Sequence, residues 1–237
     1  MGFLSDDDSF HSIISSTSSD SYYDAADFDV LLNNEFSSCK KNFNLCHINA
    51  QSIPAHYSDL LSSFSSPDII DAILVSETWL KPSLPSTSYS LPGYILIRND
   101  RTGLNGGGVA IYLRADLPYK LISRSPNSYT ASAEYLFIEV NYLGSGVLVG
   151  VVYCPPSINY FFHLEGVLEE VVPLHTHHVI MGDFNTCLLS GRGNDKNRAS
   201  KLLNLTSSVN LSLLPSGPTH HLSTSDTLLD LIFTSRP

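Results

Sequence analysis

Acidic and amide side chains stand at the ends of apolar segments in this sequence. Asn49 closes the first segment and Glu77 the second. Asp183 and Asn185 close a later one, and Asp230 lies within the last. A carboxylate in an apolar strand costs several kcal/mol unless it is paired or binds a cation. We therefore expect the three carboxylates to converge on a cation, and donors without His or Cys favour Mg²⁺ or Mn²⁺ over Zn²⁺.

Each of these residues, taken alone, also has a purely structural explanation. Asn49 could be a turn residue, and Glu77 could cap the loop that follows it. Asp183 could form an Asx turn after its glycine, and Asp230 could pair with a buried arginine. Tyr153, which ends another apolar strand before Cys-Pro-Pro, could simply belong to the core. The residue types alone leave both explanations open.

Alternating apolar patterns and turn residues predict the elements that carry these side chains. Helices are expected at 57–65, 159–172 and 197–209, and strands at 43–49, 69–75, 94–98, 107–113, 117–123, 134–142, 147–153, 177–182 and 228–234. Many antiparallel strands with few helices indicate a layered α/β domain rather than a doubly wound sheet. The run Gly106-Gly107-Gly108 precedes no helix, so it indicates a tight turn or close packing instead of a phosphate-binding loop.

The chain has 237 residues and a formal net charge of -10, which argues against unspecific binding to nucleic acid. Residues 1–42 contain eight acidic and two basic residues and thus carry six of those charges. We predict a disordered acidic tail over 1–42 and a folded domain over 43–237. The sequence contains no apolar run long enough to span a membrane, and its four cysteines lack CxxC spacing. We expect no membrane partner and an intracellular location.

The motifs along the chain resemble those of a known domain. In order they are Asn49-Ala50-Gln51-Ser52, Ser76-Glu77-Thr78-Trp79, Gly106-Gly107-Gly108-Val109-Ala110-Ile111-Tyr112, Val152-Tyr153-Cys154-Pro155-Pro156, Gly182-Asp183-Phe184-Asn185, Pro218-Thr219 and Leu229-Asp230-Leu231-Ile232-Phe233-Thr234-Ser235. This set resembles the apurinic-endonuclease-like endonuclease domain of non-LTR retrotransposons, in the endonuclease/exonuclease/phosphatase superfamily. The resemblance covers residues 43–237.

The resemblance implies a four-layer α/β/β/α sandwich of the DNase I-like type, with the site at one edge of its two sheets. It also implies Mg²⁺-dependent hydrolysis of phosphodiester bonds. Glu77 would hold the metal with Asn49 beside it, and Asp183 would orient or deprotonate the attacking water. Asn185 and Tyr153 would hold the scissile phosphate, and Asp230 would belong to the same catalytic set.

The resemblance further implies a biological role. Nicking of target DNA would leave a 3′-hydroxyl that primes reverse transcription, with a reverse transcriptase domain expected in the same polyprotein and a nuclear place of action. Two alternatives stay open. The chain could be another phosphoesterase of the superfamily, such as a phosphatase, sphingomyelinase or deadenylase, or it could be a catalytically impaired binding domain.

Two departures from the family pattern are visible. Gln51 stands where many relatives carry Arg, which is a tolerated variation. The family also ends in a further strand with a Ser-Asp-His motif, whose histidine pairs with the aspartate corresponding to Asp230. Here the sequence reaches Pro237 without that motif. We therefore predict a C-terminally truncated fragment or a decayed copy, with an exposed sheet edge near 228–234.

Basic residues near the motifs could contact DNA. They are either scattered solvated charges or a rim around the metal site that faces phosphate groups. Thr219 lies in the Pro-Thr segment that the resemblance places near DNA. The basic candidates are Arg192, Lys196, Arg198 and Lys201 after Gly-Asp-Phe-Asn, and Arg98, Arg101 and Arg114 around the glycine-rich strand.

Overall fold

A computed structural model describes residues 42–64, 69–189, 193–222 and 225–235. The predicted tail therefore lies outside the described residues, apart from residue 42. The helices are α1 (Ile53–Ser63), α2 (Phe161–Val171) and α3 (Gly193–Ser208). The strands are β1 (Leu45–Asn49), β2 (Ala72–Ser76), β3 (Tyr94–Asn99), β4 (Val109–Arg114), β5 (Tyr119–Arg124), β6 (Glu134–Tyr142), β7 (Ser145–Tyr153), β8 (His177–Asp183), β9 (Leu211–Leu213), β10 (His220–Leu222), β11 (Ser225–Thr227) and β12 (Asp230–Ser235).

Two mixed sheets form the centre of the domain. The first has four strands in the order β1-β2-β4-β3, and the second has six in the order β5-β6-β7-β8-β12-β9. Strands β1 and β2 are parallel, as are β7 and β8, while the other pairs in these sheets are antiparallel. Strands β10 and β11 form a separate antiparallel pair.

Three hydrophobic clusters define four layers. Alternate residues of both sheets, such as Leu74 and Val149, pack against each other between the sheets. The outer face of the first sheet packs against α1 through Ile53 and Leu60. The outer face of the second packs against α2 and α3, with Leu164 and Leu202 fully buried. Because successive strand residues point to opposite faces, each sheet buries both of its faces. The predicted four-layer α/β/β/α architecture is confirmed.

Helix α1 begins earlier than the apolar pattern predicted. The side chain of Ser52 accepts a hydrogen bond from the backbone N–H of Ala55, and a proline stands in the first turn. Ser at the N-cap followed by Pro is a favoured way to start a helix. Among the described residues, no helix is both long enough and apolar enough to cross a membrane.

The expectation of an exposed edge near 228–234 is wrong. Strand β12 lies inside the second sheet, because β9 pairs with its outer side from Phe233 to Ser235. The backbone N–H of Leu214 extends this cover by donating to the carbonyl of Ile232. The sequence did not predict β9, since three residues are too few to show a period.

Candidate active site

Strand register brings the predicted site residues to one edge of the two sheets. Asp183 lies opposite Tyr153 on one side and opposite Asp230 on the other. In the first sheet, Asn49 lies opposite Ser76, the residue before Glu77. Two pairs of parallel strands therefore end at the place where the carboxylates gather.

Asp183 is the most enclosed of these carboxylates, with 5% of its surface exposed. Its Oδ1 accepts a hydrogen bond from the backbone N–H of Asn185 at 2.9 Å. Its Oδ2 accepts from the side-chain amides of Asn49 at 2.9 Å and Asn185 at 3.1 Å. Burial, reinforced by the negative charges of Asp230 and Glu77, raises the pKa of Asp183 to about 7. The group is thus poised to exchange a proton near neutral pH.

Glu77 is held from two sides. Its Oε1 accepts from the side-chain amide of Asn49 at 3.2 Å, and its Oε2 accepts from the indole N–H of Trp79 at 3.2 Å. The Asn49 oxygen accepts the backbone N–H of Gln51. In this arrangement Asn49 is a donor that links Glu77 to Asp183, and its amide nitrogen faces both carboxylates.

His47 is a site residue that the sequence analysis missed. Its Nδ1 lies 3.5 Å from Oδ1 of Asp230, and its Nε2 lies 3.1 Å from Oγ of Ser76. The His47 side chain is 7% exposed. Burial lowers its pKa, and the charge of Asp230 opposes that shift. The sequence does contain a clue to this role. His47 stands two residues before Asn49, which puts both side chains on one face of β1.

Asp230 is fixed mainly through its backbone. The hydroxyl of Thr219 accepts the backbone N–H groups of Leu229 at 3.2 Å and Asp230 at 3.1 Å. Oδ1 of Asp230 is buried and accepts no hydrogen bond, although Nδ1 of His47 lies 3.5 Å away. Thr219 therefore fixes the backbone at Asp230. Because Thr219 is also exposed, its predicted contact to DNA stays a prediction.

Tyr153 and Asn185 complete the arrangement. Tyr153 is buried, and burial together with the charge of Glu77 raises the pKa of its hydroxyl, so the phenol is a donor at neutral pH. The Asn185 amide also donates to the carbonyl of Cys154 at 3.0 Å. Asn185 has φ 44°, a left-handed conformation that asparagine tolerates. Both side chains therefore stand beside Asp183.

Of the arginines predicted to face DNA, Arg101 is buried and Arg198 is half-buried. Arg101 is 7% exposed, forms an ion pair with Glu134 and lies with its guanidinium carbon 5.6 Å from the centre of the Tyr153 ring. Arg198 donates to the carbonyl of Ile158 at 3.1 Å and covers the ring of Tyr160. The structure thus places Arg101 inside the domain and Arg198 against helix α2. Arg192 lies outside the described residues.

The glycine-rich strand packs closely, as the sequence predicted. A Cβ at Gly107 would lie 2.1 Å from the guanidinium carbon of Arg101, and one at Gly108 would lie 2.6 Å from Oγ1 of Thr78. The backbone N–H of Gly108 donates to Glu134 at 2.6 Å. Glycine is therefore needed at 107 to leave room for the Arg101 guanidinium beside Tyr153, and at 108 to leave room for Thr78.

The donors at this edge fit a hard divalent cation. Within the described ranges, no three His, Cys, Asp or Glu side chains are arranged to hold a metal ion. Mg²⁺ does not require such a cage, because it commonly binds one or two carboxylates and keeps several waters. Glu77 would supply such a ligand. The oxygen of Asn49, predicted as its neighbour at the metal, accepts the backbone N–H of Gln51 instead, and the amide nitrogen faces Glu77. Besides burial, the negative charges of Asp230 and Glu77 contribute to the raised pKa of Asp183, and a cation bound here would offset their repulsion.

The architecture is similar to that of several solved structures. An endonuclease/exonuclease/phosphatase family protein from Leptotrichia buccalis aligns with a TM-score of 0.61 and 16% sequence identity. The alignment covers 82% of this chain and 88% of that chain. The endonuclease domain of TRAS1, a telomere-specific non-LTR retrotransposon, aligns with a TM-score of 0.57 and 16% sequence identity. The alignment covers 81% of this chain and 83% of that domain. The 3′ phosphatase NExo from Neisseria, bound to a product DNA hairpin, aligns with a TM-score of 0.59 and 16% sequence identity. The alignment covers 82% of this chain and 87% of that chain. At such identities the similarity shows a shared fold alone.

Sequence comparison gives the family. Among curated protein sequences, none matches the chain significantly. A model of the endonuclease/exonuclease/phosphatase family matches residues 42–237, and the predicted DNase I-like fold is confirmed. Enzymes of that family are hydrolytic nucleases and phosphatases that generally use divalent metal ions. This chain therefore belongs to the endonuclease/exonuclease/phosphatase family.

Proposed function

We propose that this domain is a metal-dependent DNA endonuclease that hydrolyses phosphodiester bonds. The observation that carries the proposal is the pair of hydrogen bonds that the Asn49 amide donates. One goes to Glu77, which follows a strand of the first sheet, and the other to Asp183, which ends a strand of the second. One cluster thus holds a candidate metal ligand and a carboxylate with a pKa of about 7. Phosphodiester hydrolysis needs both functions at one place.

Each residue of the cluster receives a role in this proposal. Glu77, with Asn49 beside it, would hold Mg²⁺ or Mn²⁺. When bound, the cation would neutralise negative charge on the phosphate and on the leaving oxygen. Asp183 orients the attacking water and accepts its proton. Tyr153 donates a hydrogen bond to a phosphate oxygen. Asn185 donates to another by exchanging one of its two present bonds, to Asp183 or to the carbonyl of Cys154.

Asp230 has a supporting role in the same proposal. It contributes negative charge beside Asp183, and Coulomb repulsion between the two carboxylates favours the protonated form of Asp183. A proton taken from water would therefore be held more tightly by Asp183 than by an isolated aspartate. This effect supports general-base catalysis near neutral pH.

We further propose that the nick supplies a 3′-hydroxyl primer for retrotransposon reverse transcription. The motif set supports this, and the similarity to the TRAS1 endonuclease domain agrees with it at the level of the fold. The proposal includes DNA as the substrate, a reverse transcriptase domain in the same polyprotein, and action in the nucleus.

Nicking of supercoiled plasmid in Mg²⁺ tests the proposal. The full chain should convert supercoiled DNA to open circles, and Glu77→Ala should reduce the rate by several orders of magnitude. Glu169→Ala is a matched control, because it removes an exposed carboxylate from helix α2. An unchanged nicking rate in Glu77→Ala would refute the metal-ligand assignment. A version extended downstream through the family's Ser-Asp-His motif is assayed beside it, and absence of nicking by both would refute the endonuclease proposal.

A phosphatase of the same family is the second candidate. The buried position of Arg101 favours it, because it removes one cation from the proposed DNA-facing rim. The similarity to the 3′ phosphatase NExo is as strong as that to the TRAS1 domain. A duplex with a 3′-phosphate distinguishes the two candidates, since release of inorganic phosphate without nicking would identify a phosphatase.

A further inference from the structure

Trp79 is an exposed aromatic residue at the candidate active site. It is two residues from Glu77, and 42% of its surface is accessible to solvent. Its backbone has φ 53°, which is rare for a bulky side chain and costs energy. An exposed tryptophan held in a strained conformation beside catalytic groups indicates a binding role.

Contacts at the backbone and at the indole-nitrogen edge fix the position of the Trp79 ring. Its indole N–H donates to Oε2 of Glu77 at 3.2 Å, and its backbone N–H donates to the carbonyl of Gly107 at 2.9 Å. A Cβ at Gly106 would lie 3.5 Å from the indole nitrogen, so the glycine-rich loop passes along this edge of the ring. The loop itself is anchored by Lys81, whose ammonium donates to the carbonyls of Arg101 and Leu104. The ring is therefore an ordered and partly exposed surface.

We propose that Trp79 stacks on the base or deoxyribose of the nucleotide next to the scissile phosphate. This inference rests on the proposed endonuclease function and names a substrate contact for it. Because the indole N–H is bonded to Glu77, a nucleotide stacked on the ring would be placed at a fixed position relative to the candidate metal ligand. Stacking on an aromatic ring tolerates any base, so Trp79 would contribute affinity with little sequence preference.

Intrinsic fluorescence can test the contact directly, because Trp79 is the only tryptophan in the chain. The full chain is titrated in EDTA, where cleavage is suppressed, with a short unlabelled duplex. Fluorescence anisotropy of a labelled duplex reports binding independently. We expect quenching of Trp79 emission that saturates at the same DNA concentration as the anisotropy, together with protection from acrylamide.

Substitutions separate stacking from support of Glu77. Trp79→Phe keeps a ring but loses the indole N–H, whereas Trp79→Ala loses both. Stacking predicts that Trp79→Ala weakens DNA binding by about 5- to 100-fold and raises KM, while Trp79→Phe binds DNA nearly as well as the parent. Tyr119→Ala is the control, because this exposed tyrosine lies at the opposite end of the second sheet. Thermal melting verifies that each variant is folded.

Two results would overturn the inference without touching the proposed function. If anisotropy shows binding but the tryptophan emission does not change, Trp79 does not contact DNA, and the endonuclease proposal is unaffected. If Trp79→Ala lowers kcat while DNA affinity and KM stay at the parental values, the residue only positions Glu77. Absence of any DNA binding by anisotropy would instead refute the proposed function, and this inference with it.

Discussion

The buried carboxylate of Asp183 should make the metal-free protein less stable as the pH rises. Burial and the charges of Asp230 and Glu77 raise its pKa from 3.8 to about 7 in the folded protein. The folded state therefore binds this proton more tightly than the unfolded chain does. The resulting stabilisation is fully present below pH 4, and it is lost as the pH increases through about 7.

The size of the effect follows from the shift. A difference of about three pH units, at roughly 1.4 kcal/mol for each unit, gives a loss of about 4 kcal/mol between pH 4 and pH 7. The variant Asp183→Asn removes the titrating group. It also loses hydrogen bonds from Asn49 or Asn185, which costs about 1–3 kcal/mol at every pH. Asp183→Asn should therefore be the less stable protein at pH 4 and the more stable one at pH 8.

Urea unfolding in EDTA between pH 4 and pH 8 measures this difference. Subtracting the free energies of unfolding of the parent and of Asp183→Asn cancels the contributions of the other titrating groups. Glu169→Gln serves as the control and should show no such trend. A difference between parent and Asp183→Asn that stays constant over the whole pH range would refute the reasoning. Mg²⁺ added at pH 8 should stabilise the parent more than Asp183→Asn.

Two further predictions concern buried partners of the site. His47→Ala should lower the free energy of unfolding in urea by about 1–3 kcal/mol, because the contacts of β1 with Ser76 and Asp230 are lost; a parental value would show that these contacts do not stabilise the fold. Arg101→Ala should cost about 3–5 kcal/mol, because it leaves the Glu134 carboxylate buried without its partner. If Arg101→Ala instead has the parental free energy of unfolding and only weakens DNA binding, the residue contacts DNA and does not stabilise the fold.

Long elements could be predicted from the sequence because their patterns repeat. Strand β6 was expected at 134–142 and lies at Glu134–Tyr142, since nine residues show a period and a hairpin turn ends the strand. Strands β9, β10 and β11 have three residues each and were not predicted. Such strands form because neighbouring strands offer hydrogen bonds, and that information is not local.

The candidate site was predictable only where it depends on strand ends. Asn49, Glu77 and Asp183 come together because their strands end at one edge, which a reading of apolar segments can indicate. The partners of Asp230 and Arg101 could not be predicted this way. The contact of His47 with Asp230 links the two sheets, and the burial of Arg101 depends on the position of Glu134 in β6. Both are results of packing between distant segments.

The backbone around the site explains why its geometry can persist without a ligand. Gln51, Ser52, Glu77 and Trp79 all have positive φ, and each such residue costs on the order of 1–3 kcal/mol. Backbone hydrogen bonds hold the loops after β1 and β2 together, at 2.9 Å from the N–H of Ser52 to the carbonyl of Glu77. Other bonds tie the loop after β2 to the glycine-rich segment before β4. The strain is thus balanced by bonds between loops, so the polar groups of the site are already positioned before substrate binds.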